Sequence, residues 1–306
     1  MPNPYEPTAL PILEESDSIY QAGLRDQAQY QAIADNPAWG LGGALLVWFA
    51  SVTLIVVMPL LFLLPYASRH GLHMGAPDYA RDLIEFAVSD KTAVLLQVVS
   101  LFPSHLLTLL LVWVLVTRFG KQSFWTAIGW GWPRHFPWWW SVLLGMVLFV
   151  LGSVVARLLG ADKPTQLEQI INSSLAARYA ISLLAVGTAP FVEEFIYRGV
   201  LYAPLQRLAG VRGAVIMVLA LFTIIHVPQY WPNVGVIAAV ALLSIVLTLV
   251  RAYSGRLLPC IVIHLVFNGI QAVILMLEPY AHRFLPTTEQ TAPTVTMLLP
   301  LIRFTF

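Results

Sequence analysis

Residues 191–202 read Phe-Val-Glu-Glu-Phe-Ile-Tyr-Arg-Gly-Val-Leu-Tyr, so Glu193, Glu194 and Arg198 stand together in an otherwise apolar run. At the centre of a membrane helix each such group costs roughly 2.5–3.5 kcal/mol on insertion scales, so an unpaired trio would be hard to keep there. A helix relieves part of this. Glu194 and Arg198 are four residues apart, on one face, and can pair. Glu193 is rotated by about 100° from Glu194 and points elsewhere. It needs another partner. Two later apolar runs offer polar groups: Phe222-x-x-x-His226, and His264-x-x-x-Asn268, whose imidazole and carboxamide share one helix face. A lone membrane histidine is as readily a hydrogen bond between helices as a functional group. A free carboxylate, two imidazoles and a carboxamide on three helices instead suggest a built site. Such a set can activate water, hold a metal ion or relay protons.

The elements that must carry these groups are membrane helices. The chain has 306 residues, 58% hydrophobic and 11% charged, with a mean hydropathy of +0.75. Soluble domains carry about 25% charged residues. The expected fold is therefore an all-α, polytopic transmembrane bundle. Its net charge of +1 gives no support to nucleic-acid binding, and a single cysteine, Cys260, excludes an internal disulfide. Apolar runs of about 20 residues or more, long enough to span, lie at 41–66, 91–117, 138–159, 176–202, 213–230, 234–253 and 257–277. That makes about seven spans, with 294–306 as an interfacial segment or part of an eighth element. Trp130, Trp132, Trp138, Trp139 and Trp140 read as an interfacial aromatic belt at the third span.

Four regions follow: a polar tail at 1–39, N-terminal membrane helices at 40–160, a core at 176–280 that holds every candidate site residue, and a C-terminal tail at 281–306. The tail 1–39 is broken by four early prolines and lacks the pattern of a cleavable signal peptide; 16–34 could form a surface helix. Arg207, Arg212, Arg251 and Arg256 fall in short loops on the side of the N terminus, whereas 231–233 carries no basic residue. By the positive-inside rule the N terminus is expected in the cytoplasm.

Other polar residues read as structural. His105 follows Pro103 and is expected to satisfy a carbonyl that the proline frees. His70, His73, His135 and His282 are expected in water at loops or span ends, and Glu278 at the interface. Cys260 lies four residues before His264 but is expected to pack as an inert small apolar group.

Glu193-Glu194-x-x-x-Arg198, continuing as Gly199-Val200-Leu201-Tyr202-x-Pro204-Leu205-Gln206, then Phe222-x-x-x-His226, then His264-x-x-x-Asn268, resembles the CPBP family. That family comprises the CAAX prenyl proteases of the Rce type and the bacteriocin-processing or immunity-type membrane proteins with the ABI domain. The resemblance covers about 176–273; the first three spans match only as generic membrane helices. It implies an intramembrane endopeptidase that uses no cofactor or metal and acts on a membrane-associated peptide substrate, prenylated (CAAX-type) or unmodified. Glu193 would be the base that activates water, and His226 would hold that water. His264 and Asn268 would donate to the oxyanion, with Glu194 and Arg198 in support. The chain would then sit in the plasma (inner) membrane of a prokaryote. The sixth span departs from the family in lacking, over 238–250, the glycines often found there.

Two other readings stay open at this level. Glu193, His226 and His264 could form a Glu-plus-two-His zinc set, although no His-Glu-x-x-His motif is present. The polar cluster could also serve a transporter or an immunity-type protein with no enzymatic role.

Overall fold

The computed structural model describes residues 37–160 and 163–280. The expected 16–34 and 294–306 segments and His282 lie outside the described residues. Among the described residues all regular structure is helical. Among the same residues six helices are long and apolar enough to cross a membrane. The chain is an integral membrane protein.

Helix α1, Leu41–Arg69, is followed by the surface helix α2, Tyr79–Ser89. The Asp90 carboxylate then accepts from the amides of Thr92 and Ala93 and starts α3, Lys91–Val99. A joint at Ser100 leads into α4, Leu101–Thr117, which completes the second span and turns Ser104, His105 and Thr108 inward. After the short α5, Phe124–Ala127, helix α6, Trp138–Leu158, buries Ser141, Gly145, Gly152 and Ser153. That stripe of small residues lets α6 lie close on its neighbours. A Cβ at Gly145 would stand 2.9 Å from the carbonyl oxygen of Ile263. Trp138, Trp139 and Trp140 are exposed as an interfacial belt requires, but Trp130 turns inward against Phe195.

Thr165 caps α7, Gln166–Ser173, by accepting from the Glu168 amide, and Ser174 caps α8, Leu175–Gly187, through the amide of Ala177. Next come α9, Ala189–Glu194, a π-helix, Phe195–Leu201, and α10, Tyr202–Tyr230. The whole run Leu175–Tyr230 is 56 residues of almost continuous helix. Straight, it would be about 84 Å long, against a hydrocarbon core of about 30 Å. It breaks at Thr188 and again at Gly210, whose φ of 68° suits a residue without a Cβ. Six apolar helices thus stand where about seven spans are expected: the fourth and fifth are joined in one run and parted at Gly210.

Helix α11, Val234–Ser254, is capped by Asn233 and ends at Gly255; α12, Leu258–Leu277, runs into a 3₁₀ turn at Glu278–Tyr280. All seven residues of the π-helix are buried. Arg198 is therefore carried on a segment with no exposed residue. Trp39 Nε1 donates to Val200 O, and Trp48 Nε1 to the Tyr197 hydroxyl. Arg251 corrects a sequence expectation. It is a buried strut rather than a loop cation, and donates to the carbonyls of Gly255 and Ile128.

Candidate active site

The pair expected from i,i+4 spacing is present. Arg198 Nη1 lies 2.9 Å from Glu194 Oε1, and both side chains are wholly buried. Arg198 does more than neutralise Glu194. Its Nη2 donates to Ser244 O at 2.9 Å and Ser244 Oγ at 3.1 Å, and its Nε to Thr248 Oγ1 at 3.3 Å, so the guanidinium also fastens the π-helix to α11. Its flat face lies over Phe222, 5.0 Å from the ring centre. Glu194 Oε1 receives a second donor, His264 Nδ1, at 2.8 Å. One buried carboxylate thus holds α9, the π-helix and α12 together.

Glu193 faces the other way, as a rotation of about 100° requires. Its side chain is 22% exposed, into a cavity of about 200 Å³. Several waters fit in that volume. His226, His264 and Asn268 line the same cavity. All four residues expected to do chemistry therefore border one space. His264 Nε2 stands 3.8 Å from Glu193 Oε2, while its Nδ1 is taken up by Glu194. His226 Nδ1 donates to Phe222 O at 2.7 Å, and its ring stacks on Phe222 with centres 4.5 Å apart. That bond puts a proton on Nδ1 and leaves Nε2 free to accept in the neutral ring. Asn268 Nδ2 donates to Ala185 O at 2.9 Å. Ala185 supplies one of the last four carbonyls of α8, which helix geometry leaves without an intrahelical partner.

The zinc alternative finds no geometric support. Among the described residues no three His, Cys, Asp or Glu side chains come together closely enough to hold a metal ion. The Cys260 thiol meets Leu247 O at 3.3 Å rather than His264, so the inert reading stands.

Several contacts were not visible in sequence. His105 does not satisfy a carbonyl freed by Pro103; its Nδ1 shares a 2.7 Å hydrogen bond with Thr188 Oγ1, and it lines the same cavity. Glu278 takes a 2.6 Å ion pair with Arg178, and Tyr280 bonds Tyr179 beside it, joining the end of α12 to the start of α8. His70 and His135 pack on Tyr66 and Tyr253. The only signal for His105 was an imidazole at membrane depth, and its partner lies 83 residues away.

Residues 174–270 match the family described as Rce1-like, type II CAAX prenyl endopeptidase Rce1-like. The match begins at the cap of α8 and ends within α12, so it encloses every residue of the cluster. The match supports the resemblance of this segment to the CPBP family of intramembrane proteases. The match covers roughly a third of the chain, and helices α1 to α7 lie outside it. No curated protein and no solved structure matches the chain. A membrane-embedded protease is the coarse functional class that follows from the match.

Removing one member of a buried ion pair costs about 3–5 kcal/mol, because the other charge is left without a partner. Arg198→Ala should therefore sharply lower the yield of folded protein, measured by fluorescence-detected size exclusion. Arg198→Met with Glu194→Gln should recover part of it. Recovery stays partial because Ser244 and Thr248 still lose their donor. A double variant no better than the single one would show that charge pairing is not the main task of Arg198.

Proposed function

We propose that the CPBP core hydrolyses peptide bonds of a membrane-associated substrate, with Glu193 as the base that activates water. The observation that carries this is the division between the adjacent carboxylates. Glu194 Oε1 is occupied by Arg198 and His264, whereas Glu193 opens on the cavity. The cavity has room for a water about 2.8 Å from Glu193 Oε2, and His264 Nε2 stands 3.8 Å from the same oxygen. Glu193 takes a proton from that water while its oxygen attacks the scissile carbonyl carbon. His226, with its proton held on Nδ1 by Phe222 O, accepts a hydrogen bond at Nε2 from the other O–H of that water, whose hydrogen stays on the attacking oxygen.

The negative charge that develops on the carbonyl oxygen needs donors already in place. Asn268 keeps a second N–H beyond the one given to Ala185. His264 offers Nε2–H when both ring nitrogens are protonated, and that charge balances Glu193, Glu194 and Arg198 as a set. Glu193 then passes its proton to the leaving amine nitrogen as the C–N bond breaks. Both donors sit one turn apart on α12, held in place by Glu194 and Ala185, so little reorganisation accompanies the charge shift. The substrate class is a CAAX-type or similar C-terminal segment delivered at the membrane, prenylated or not.

We also place the N terminus in the cytoplasm of a prokaryotic plasma membrane, on the strength of Arg207, Arg212 and Arg256 near short connections. Reporter fusions at Arg25 and Gly255 should both report the cytoplasm. Opposite results at the two sites would overturn the orientation together with the crossing number.

Cleavage is best followed with a fluorogenic, farnesylated peptide ending in a CAAX-type tetrapeptide, alongside its unprenylated form. Glu193→Gln keeps size and polarity but cannot accept the proton, so cleavage should cease while the protein still folds. Asn268→Ala should slow turnover about 100- to 1,000-fold, as for other lost oxyanion donors. Activity should also survive prolonged chelation. Unchanged cleavage by Glu193→Gln would end the assignment of Glu193, and loss on chelation reversed by zinc would restore the metal reading.

A further inference from the structure

Thr188 is where α8 stops and α9 starts, with φ of −129° and ψ of −40°. A threonine at a helix N-cap ordinarily turns its hydroxyl onto the amide of the second or third residue. Here Pro190 occupies the first turn and has no N–H, and Thr188 makes no side-chain cap. Its hydroxyl shares a hydrogen bond instead with Nδ1 of His105, on α4. His105 is buried, and it borders the cavity into which Glu193 opens. Just before the break, Asn268 grips the carbonyl of Ala185 from α12. Just after it, the Val192 amide bonds Thr188 O at 3.1 Å, and Glu193 is the next residue. The start of a six-residue helix is thus held by side chains from two directions, and Glu193 sits within it.

We infer that His105, acting through Thr188, is a positioning residue that fixes where the Glu193 carboxylate stands in the cavity; this rests on Glu193 being the base. A misplacement of about 1 Å is enough to cost roughly 100-fold in rate. The bond replaces a missing helix cap with a tether to another helix. The atom that matters is Nδ1, which distinguishes this role from proton transfer at Nε2.

The test uses that distinction. His105→Leu and Thr188→Val should each lower kcat on the farnesylated peptide about 10- to 100-fold with KM nearly unchanged, and the pair together should lose no more than one alone. Thr188→Ser and His105→Asn, whose polar atom lies where Nδ1 does, should retain most of the rate. His105→Gln, whose polar atom lies nearer Nε2, should not. Losses that add, a loss seen only in KM, or Gln outperforming Asn would overturn the inference.

A second arm needs no turnover. The thiol introduced by Glu193→Cys is reacted with a water-soluble methanethiosulfonate reagent, Cys260 being buried. His105→Leu and Thr188→Val should each change the labelling rate several-fold, and Thr188→Ser should not. Equal rates throughout would show that the tether does not set the position of residue 193. Cleavage that persists in Glu193→Gln would sink the catalytic reading instead, and the labelling arm would still judge the tether.

Discussion

A charged carboxylate sealed inside an apolar bundle is tolerable only with partners, and Glu194 has two on the same oxygen. Arg198 and His264 both reach Oε1, at 2.9 and 2.8 Å, from the π-helix and from α12. Most of the core geometry can be traced to this point. Arg198 continues to Ser244 and Thr248, which brings in α11. His264, held by one nitrogen, can present only the other to the cavity. Replacing such a pair by well-packed apolar groups is often neutral or stabilising. The arrangement therefore makes better sense as a way of fixing positions than as a source of stability.

The same constraint separates the two glutamates. On a helix, neighbours in sequence face about 100° apart, so the pair cannot share one environment. Glu194 looks into the packing and Glu193 into a cavity of about 200 Å³. A π-helix begins immediately after them, and all seven of its residues are buried. Such segments occur often at functional sites. From this segment Arg198 reaches back to Glu194, and Tyr197 meets Trp48 on the side of α1.

What could be read from sequence were properties confined to one helix. Hydropathy located the membrane helices because a spanning helix must be apolar for about 20 residues. The Glu194–Arg198 pair followed from spacing, and His226, His264 and Asn268 were conspicuous because polar groups at membrane depth are costly. Contacts between helices left no such trace. His105 meets Thr188 across 83 residues and Arg178 meets Glu278 across 100. Nothing local marks either partner. Arg251 looked like a loop cation because sequence shows its place near a helix end but not the carbonyl of Ile128 that receives it. The break at Gly210 lies inside a run whose composition remains helical on both sides.

Thermal unfolding of the two single carboxamide variants, measured in one detergent, bears most directly on the division between the carboxylates. Glu194→Gln removes the charge that Arg198 and His264 share, so its unfolding midpoint should fall well below that of the wild type. Glu193→Gln removes a charge that faces the cavity and should unfold at the wild-type temperature or slightly above it. The reverse order, or equal midpoints, would contradict the assignment of Glu194 to structure and Glu193 to chemistry.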